Sequence, residues 1–122
     1  MMVATEKRTR KQEQAYRDVL CFIGRFTTNR SGMKKRKQVI EAFRFGCCYW
    51  FAFILAERFK NEYDVALLVD FDATHFATEI EGMVFDIGGD ITDIDQFHWT
   101  RWDDVPDDDP RKKHALMYGV NF

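Results

Sequence analysis

The stretch GCCYWFAFILAERF, residues 46–59, is apolar on nearly every side when wound as a helix. A helix of that kind is stable only when other elements surround it. It is too short for the ~20 residues that a membrane span needs. The sequence therefore predicts a central, buried helix over residues 47–60, and the rest of the chain must wrap it. A content of 46% hydrophobic and 16% aromatic residues supplies the material for a folded core. With 122 residues, one domain spanning 1–122 is expected, large enough to need no covalent staples. Three cysteines, two of them adjacent, do not read as a disulfide framework, so free thiols in a reducing cytoplasm are expected. The charged, polar start of the chain does not read as a signal peptide.

The flanking patterns divide the chain. Residues 1–10 are expected to fray, 11–60 to be helical, 63–102 to form an antiparallel sheet, and 103–122 to hold an acidic turn and a C-terminal tail. In residues 11–26 the positions Ala15, Val19, Phe22, Ile23 and Phe26 fall at helical spacing. TTNRSG, 27–32, reads as a loop. KKRKQVIEAF, 34–43, begins a second helix with Val39, Ile40 and Phe43 as its apolar stripe, and Gly46 separates it from the third. The period then changes to two. VALLVDF, 65–71, reads as a strand. HFATEI, 75–80, and MVFDI, 83–87, flank Glu81-Gly82 and read as a hairpin that GGD, 88–90, ends. A further short strand or turn covers 91–99, VPDDDP is an acidic turn, and RKKHALMYGVNF reads as a last short helix. The fold class is thus α+β, a cysteine-bearing helix packed on a small antiparallel sheet.

The hairpin has a geometric consequence. With Glu81-Gly82 as a two-residue turn, Ala77 lies opposite Asp86 and His75 opposite Gly88. Side chains alternate along a strand, so His75 and Asp86 share a face as diagonal neighbours within reach of a hydrogen bond. A register slip of one residue would separate them. The other face carries Phe76, Thr78, Ile80, Met83, Phe85 and Ile87, a core pattern. Which face the cysteine helix covers is not readable.

Cys48 at a helix start, His75 on a strand and Asp86 on the next strand are the parts of a nucleophilic site. A helix start and an imidazolium both favour thiolate, and a carboxylate behind the imidazole fixes its orientation. The first-turn amides can hold an oxyanion. GCCYW resembles the papain-type segment in which a cysteine followed by an aromatic opens the central helix. HFATEIEGMVFDIGG resembles the histidine-strand, glycine-turn, strand-aspartate unit of transglutaminase-like proteins. The series G-x-C-Y-W-F-A, H-F, F-D-I-x-G, W and D-P, over roughly 44–110, is also similar to small uncharacterised proteins of bacterial phages and their hosts. The resemblance implies a papain-like or transglutaminase-like core with Cys48 as nucleophile, His75 as base and Asp86 as its orienting group. It implies a peptidase, amidohydrolase or acyltransferase of a protein or peptide substrate, with no cofactor. The glutamine that completes the papain-type oxyanion hole has no clear counterpart, Gln38 being a candidate by type alone. Cys47 reads as structural, and either cysteine also fits as a small buried hydrophobe.

Other readings stand beside this one. Cys47, Cys48, His75, Asp86 and His98 are metal-ligand types, but adjacent cysteines diverge on a helix and no zinc spacing occurs, so no metal is expected. Lys34, Lys35, Arg36 and Lys37 read as a solvated helix end, with nucleic-acid phosphates as the alternative partner. Phe97, His98, Trp99 and Trp102 read as the cap of a small core, with base or substrate stacking as the alternative and His98 as a second cleft histidine. Residues 1–44 carry 12 Lys/Arg against 4 Asp/Glu, whereas 45–122 carry 6 against 16. This division fits two attracting faces of one domain. It also fits a catalytically inactive phage inhibitor of a host defence complex, of the anti-CRISPR type, working in the host cytoplasm by binding a protein or nucleic-acid site.

Overall fold

A computed structural model describes residues 8–28 and 48–120. Among them are α1 (Arg10–Thr28), α2 (Cys48–Phe59), β1 (Val65–Asp70), β2 (His75–Ile80), β3 (Met83–Asp86), β4 (Gly89–Asp90), β5 (Thr100–Arg101), a 3-10 turn (Trp102–Asp104) and α3 (Pro110–Val120). The strands form one antiparallel sheet in the order β4-β3-β2-β1-β5. The architecture is α+β, with the cysteine-bearing helix laid on the sheet. The expected second helix, with Gln38 and the run Lys34, Lys35, Arg36 and Lys37, lies outside the described residues, as do Gly46 and Cys47.

Helix α1 opens on a capping box. The Gln12 amide donates to Thr9 Oγ1 and the Thr9 amide to Gln12 Oε1, both at 3.0 Å. The helix therefore starts at Arg10, one residue before the apolar stripe predicts. At its other end it runs through Thr27 and Thr28, which the sequence reads as loop. The Thr27 hydroxyl turns back to the carbonyl oxygens of Ile23 and Gly24, at 2.9 and 3.2 Å, and so is satisfied inside the helix. Ala15, Val19 and Ile23 are buried, meeting Phe51, Leu55 and Phe59 of α2 and Ile80, Met83, Phe85 and Ile87 of the sheet.

The β2–β3 hairpin turns at Glu81 and Gly82, whose φ angles of 52° and 81° make the left-handed pair of a type I′ turn. Thr78 pairs with Phe85 and Ile80 with Met83, the register that a two-residue turn requires. The turn is pinned from outside, because Gln12 Nε2 donates to the Glu81 carbonyl at 2.8 Å and the Asp64 amide to Glu81 Oε2 at 2.8 Å.

The GGD stretch, expected to end the hairpin, also carries the next strand of the sheet. Ile87 and Gly88 form a second tight turn, and Gly89–Asp90 returns as β4, pairing Asp86 with Gly89 and Phe85 with Asp90. Gly89 has a φ of 115°, open to glycine and costly for other residues. Residues 91–99 then cross the sheet to the opposite edge, where Thr100–Arg101 pairs with β1.

Helix α2 covers the Phe76–Thr78–Ile80 face. Phe51, Phe59, Phe76 and Phe85 are each within 2% of full burial, and each contributes about 1.5–3 kcal/mol of transfer free energy. The Thr78 hydroxyl donates to the Ala52 carbonyl at 2.8 Å in this buried layer. That bond fixes the height of α2 on β2. Cys48 lies one helical turn before Ala52 on the same side of the helix, so the thiol comes to the start of β2. The second face carries Leu68, Ala77 and Val84, covered by Ile91, Phe97 and Trp99 of the crossing segment.

Candidate active site

Asp86 ends β3, and its two carboxylate oxygens have separate tasks. Oδ1 accepts the Gly88 amide at 2.7 Å, closing the Ile87-Gly88 turn. Oδ2 stands 3.1 Å from His75 Nε2. The turn therefore holds the carboxylate that holds the imidazole. Each residue is 8% exposed.

His75 begins β2, opposite Asp70 of β1. Its ring stacks on Phe97 at 5.3 Å and 25°, and Trp99 lies beyond at 6.0 Å from the imidazole. Burial pulls the imidazole pKa down. Hydrogen bonding to Asp86 and to Cys48, together with the negative charge of both, outweighs that and pushes it up to about 9. Phe97 places an aromatic face beneath the imidazole, an arrangement that favours its protonated form.

Cys48 is the first residue of α2, where first-turn amides have no intrahelical acceptor. Its side chain packs in the α2-side cluster with Ala52, Val69, Phe76 and Ala115. The thiol reaches round the end of β2, with Sγ 3.9 Å from the carbonyl oxygen of Thr74, the residue before His75. Cys48 and the His75–Asp86 pair thus approach from opposite faces and meet where the strand begins. A thiol, an imidazole and a carboxylate in series can take a proton from sulfur, hold it, and deliver it to a leaving group.

An open depression of ≈ 470 Å³ lies against His75 and Asp86, walled by Ala73, Ile91, Ile94, Gln96 and Phe97. Cys48, 6% exposed, is not part of that wall, so the depression serves the imidazole side of the group.

Asp70, which the sequence reading passed over, shapes this end of the sheet. It is 2% exposed. Its Oδ1 accepts the amides of Asp72 and Ala73 at 2.9 and 3.1 Å, and its Oδ2 accepts the His98 amide at 3.0 Å. An aspartate at a strand end before a short polar stretch is the signature of such a turn, and D-F-D-A-T carries it. The aromatic group at 97–102 is divided between the two faces. Phe97 and Trp99 cover His75, whereas Trp102 meets Phe76 edge-to-face at 5.2 Å on the α2 side, under Lys112 Nζ. His98 is exposed and stays outside the cleft; its backbone, not its ring, is the part in use.

Among the described residues, no group of three or more His, Cys, Asp or Glu side chains is placed to hold a metal ion. No helix among them is long and apolar enough to cross a membrane. The chain matches no protein-family model, no curated protein and no solved structure.

Proposed function

We propose that this chain is a small cysteine hydrolase or acyltransferase with a papain-like or transglutaminase-like arrangement of Cys48, His75 and Asp86. The observation that carries the reading is the His75 Nε2 to Asp86 Oδ2 contact of 3.1 Å, made at the strand end to which Cys48 brings its thiol. Cys48 sulfur attacks the carbonyl carbon of an amide, isopeptide or thioester in a protein or peptide. The first-turn amides of α2 hold the oxyanion. His75 gives its proton to the departing amine or thiol, and a thioester remains on Cys48. Water or an acceptor amine then attacks, losing its proton to His75, and the thiol is released. Asp86 keeps the imidazole turned toward sulfur throughout. The chemistry uses no cofactor and suits a reducing compartment such as the cytoplasm.

The direct test is covalent labelling with a peptide vinyl sulfone, followed by mass spectrometry. One adduct on Cys48, lost in His75→Ala, is expected. Labelling that follows Cys21 or Cys47, or that ignores His75, would exclude the triad.

The near-complete burial of Cys48 and its absence from the depression beside His75 favour one second reading: a binding protein that keeps the fold without turnover, such as a phage inhibitor of a host defence complex. Under that reading Cys48→Ala retains full inhibition, and reversing an exposed charge cluster abolishes it.

A further inference from the structure

A second depression, of ≈ 610 Å³, lies between the first two turns of α1 and the ring of Tyr63. Its cations are Arg8, Arg10, Lys11 and Arg17, against the one carboxylate of Glu13. Arg8 is already committed: it reaches Asp90 at 3.4 Å and Glu13 at 3.8 Å, and covers the Tyr16 ring at 4.0 Å. Lys11 leans on Glu81 at 3.7 Å but remains 58% exposed. Arg10 and Arg17 are exposed, and among the described residues neither has an ion-pair or hydrogen-bond partner. Seven residues apart, they lie on one side of the helix, separated by roughly 10 Å along its axis. That spread is longer than a single phosphate and suits successive charges of a chain.

The opposite wall is aromatic and fixed. Tyr63 donates its hydroxyl to Asp18 Oδ2 at 2.7 Å, and its ring packs on Phe59 at 6.1 Å. Asp18 is occupied further by Gln14 Nε2 at 3.0 Å. A groove with spaced cations along one side and a held aromatic ring on the other is the layout that binds single strands, with phosphates on the cations and a base on the ring.

We propose that Arg10, Lys11, Arg17 and Tyr63 form a binding surface for single-stranded nucleic acid. The surface shares no residue with the Cys48 group, so it stands or falls separately from the proposed chemistry.

The test is fluorescence anisotropy of the full chain with a fluorescein-labelled dT12 oligonucleotide between 50 and 200 mM KCl. The doubly substituted Arg10→Gln/Arg17→Gln chain is expected to bind at least about tenfold more weakly at 50 mM. Its log K against log salt slope should be shallower by about 1.4, the loss of two phosphate contacts on a single strand. Tyr63→Leu should weaken binding by about fivefold or more, while Tyr63→Phe, which keeps the ring, should retain it. Far-UV circular dichroism checks that each variant is folded. Three results would each overturn the proposal. One is no binding of dT12. Another is binding indifferent to Arg10 and Arg17 but lost when Lys34, Lys35, Arg36 and Lys37 become Gln. The third is binding indifferent to Tyr63→Leu and matched by heparin, which would make the surface a general polyanion patch.

Discussion

Asp86 reaches His75 Nε2 with one oxygen while the other closes the turn that follows it. The two bonds depend on each other. If the Ile87-Gly88 turn opens, the carboxylate loses the amide that aims it; if the carboxylate is lost, both the turn and the imidazole lose a partner. Asp86→Asn keeps the shape and removes the charge. The His75 imidazole, at about 9 in the intact protein, is expected to titrate well below that in the variant. Its Cε1 proton resonance, followed by NMR over pH 5–10.5 in both proteins, checks this. An unchanged titration would mean that Asp86 does not hold the imidazolium.

The same shift gives stability a pH dependence of known sign. His75 is raised in the folded chain above its ordinary 6.5. The folded state therefore binds the proton more tightly than the unfolded one. Its contribution is full below pH 6.5 and is lost as pH rises through about 9. Urea midpoints at pH 6 and pH 9.5 should fall more for the wild type than for His75→Gln. Equal falls would contradict the shift.

Thr78 ties the sheet to the cysteine helix through the Ala52 carbonyl. Thr78→Val preserves shape and removes the donor. The expected loss is about 0.5–1.5 kcal/mol, read from urea denaturation, and the Cys48 thiol should react faster as α2 loosens. An unchanged alkylation rate would show that other contacts seat the helix.

Gly82 sits at a φ of 81°, where an alanine side chain costs about 1–2 kcal/mol. Gly82→Ala should lower stability by that amount in the same assay. A neutral effect would mean that the hairpin tolerates a different turn, and with it a different register for His75 and Asp86.

Much of this arrangement is legible in the sequence because it is local. The β2–β3 pairing follows from strand alternation and a two-residue Glu-Gly turn, and a buried helix follows from a run that is apolar all round. The parts that escaped have other causes. Strands β4 and β5 are two residues long, too short to show any period, and Gly88-Gly89 reads as a terminator when Gly88 completes a turn and Gly89 begins β4. Thr27 reads as a loop residue until its hydroxyl is seen to bond back within the helix. Phe97 and Trp99 lie more than twenty residues from His75, and only the crossing of the sheet by residues 91–99 puts them on its ring. The face covered by α2 depends on the packing of whole elements, a long-range property that alternation alone does not decide.

The most direct measurement is the rate of iodoacetamide alkylation of Cys48 as a function of pH, in a chain with Cys21 and Cys47 replaced by Ser, with and without His75→Ala. A thiol coupled to the imidazole is predicted to react at pH 7 at least about tenfold faster with His75 present than without it, since thiolate is the reacting form. A slow thiol, indifferent to His75, would make Cys48 a core residue at the start of α2 and would contradict the proposed chemistry.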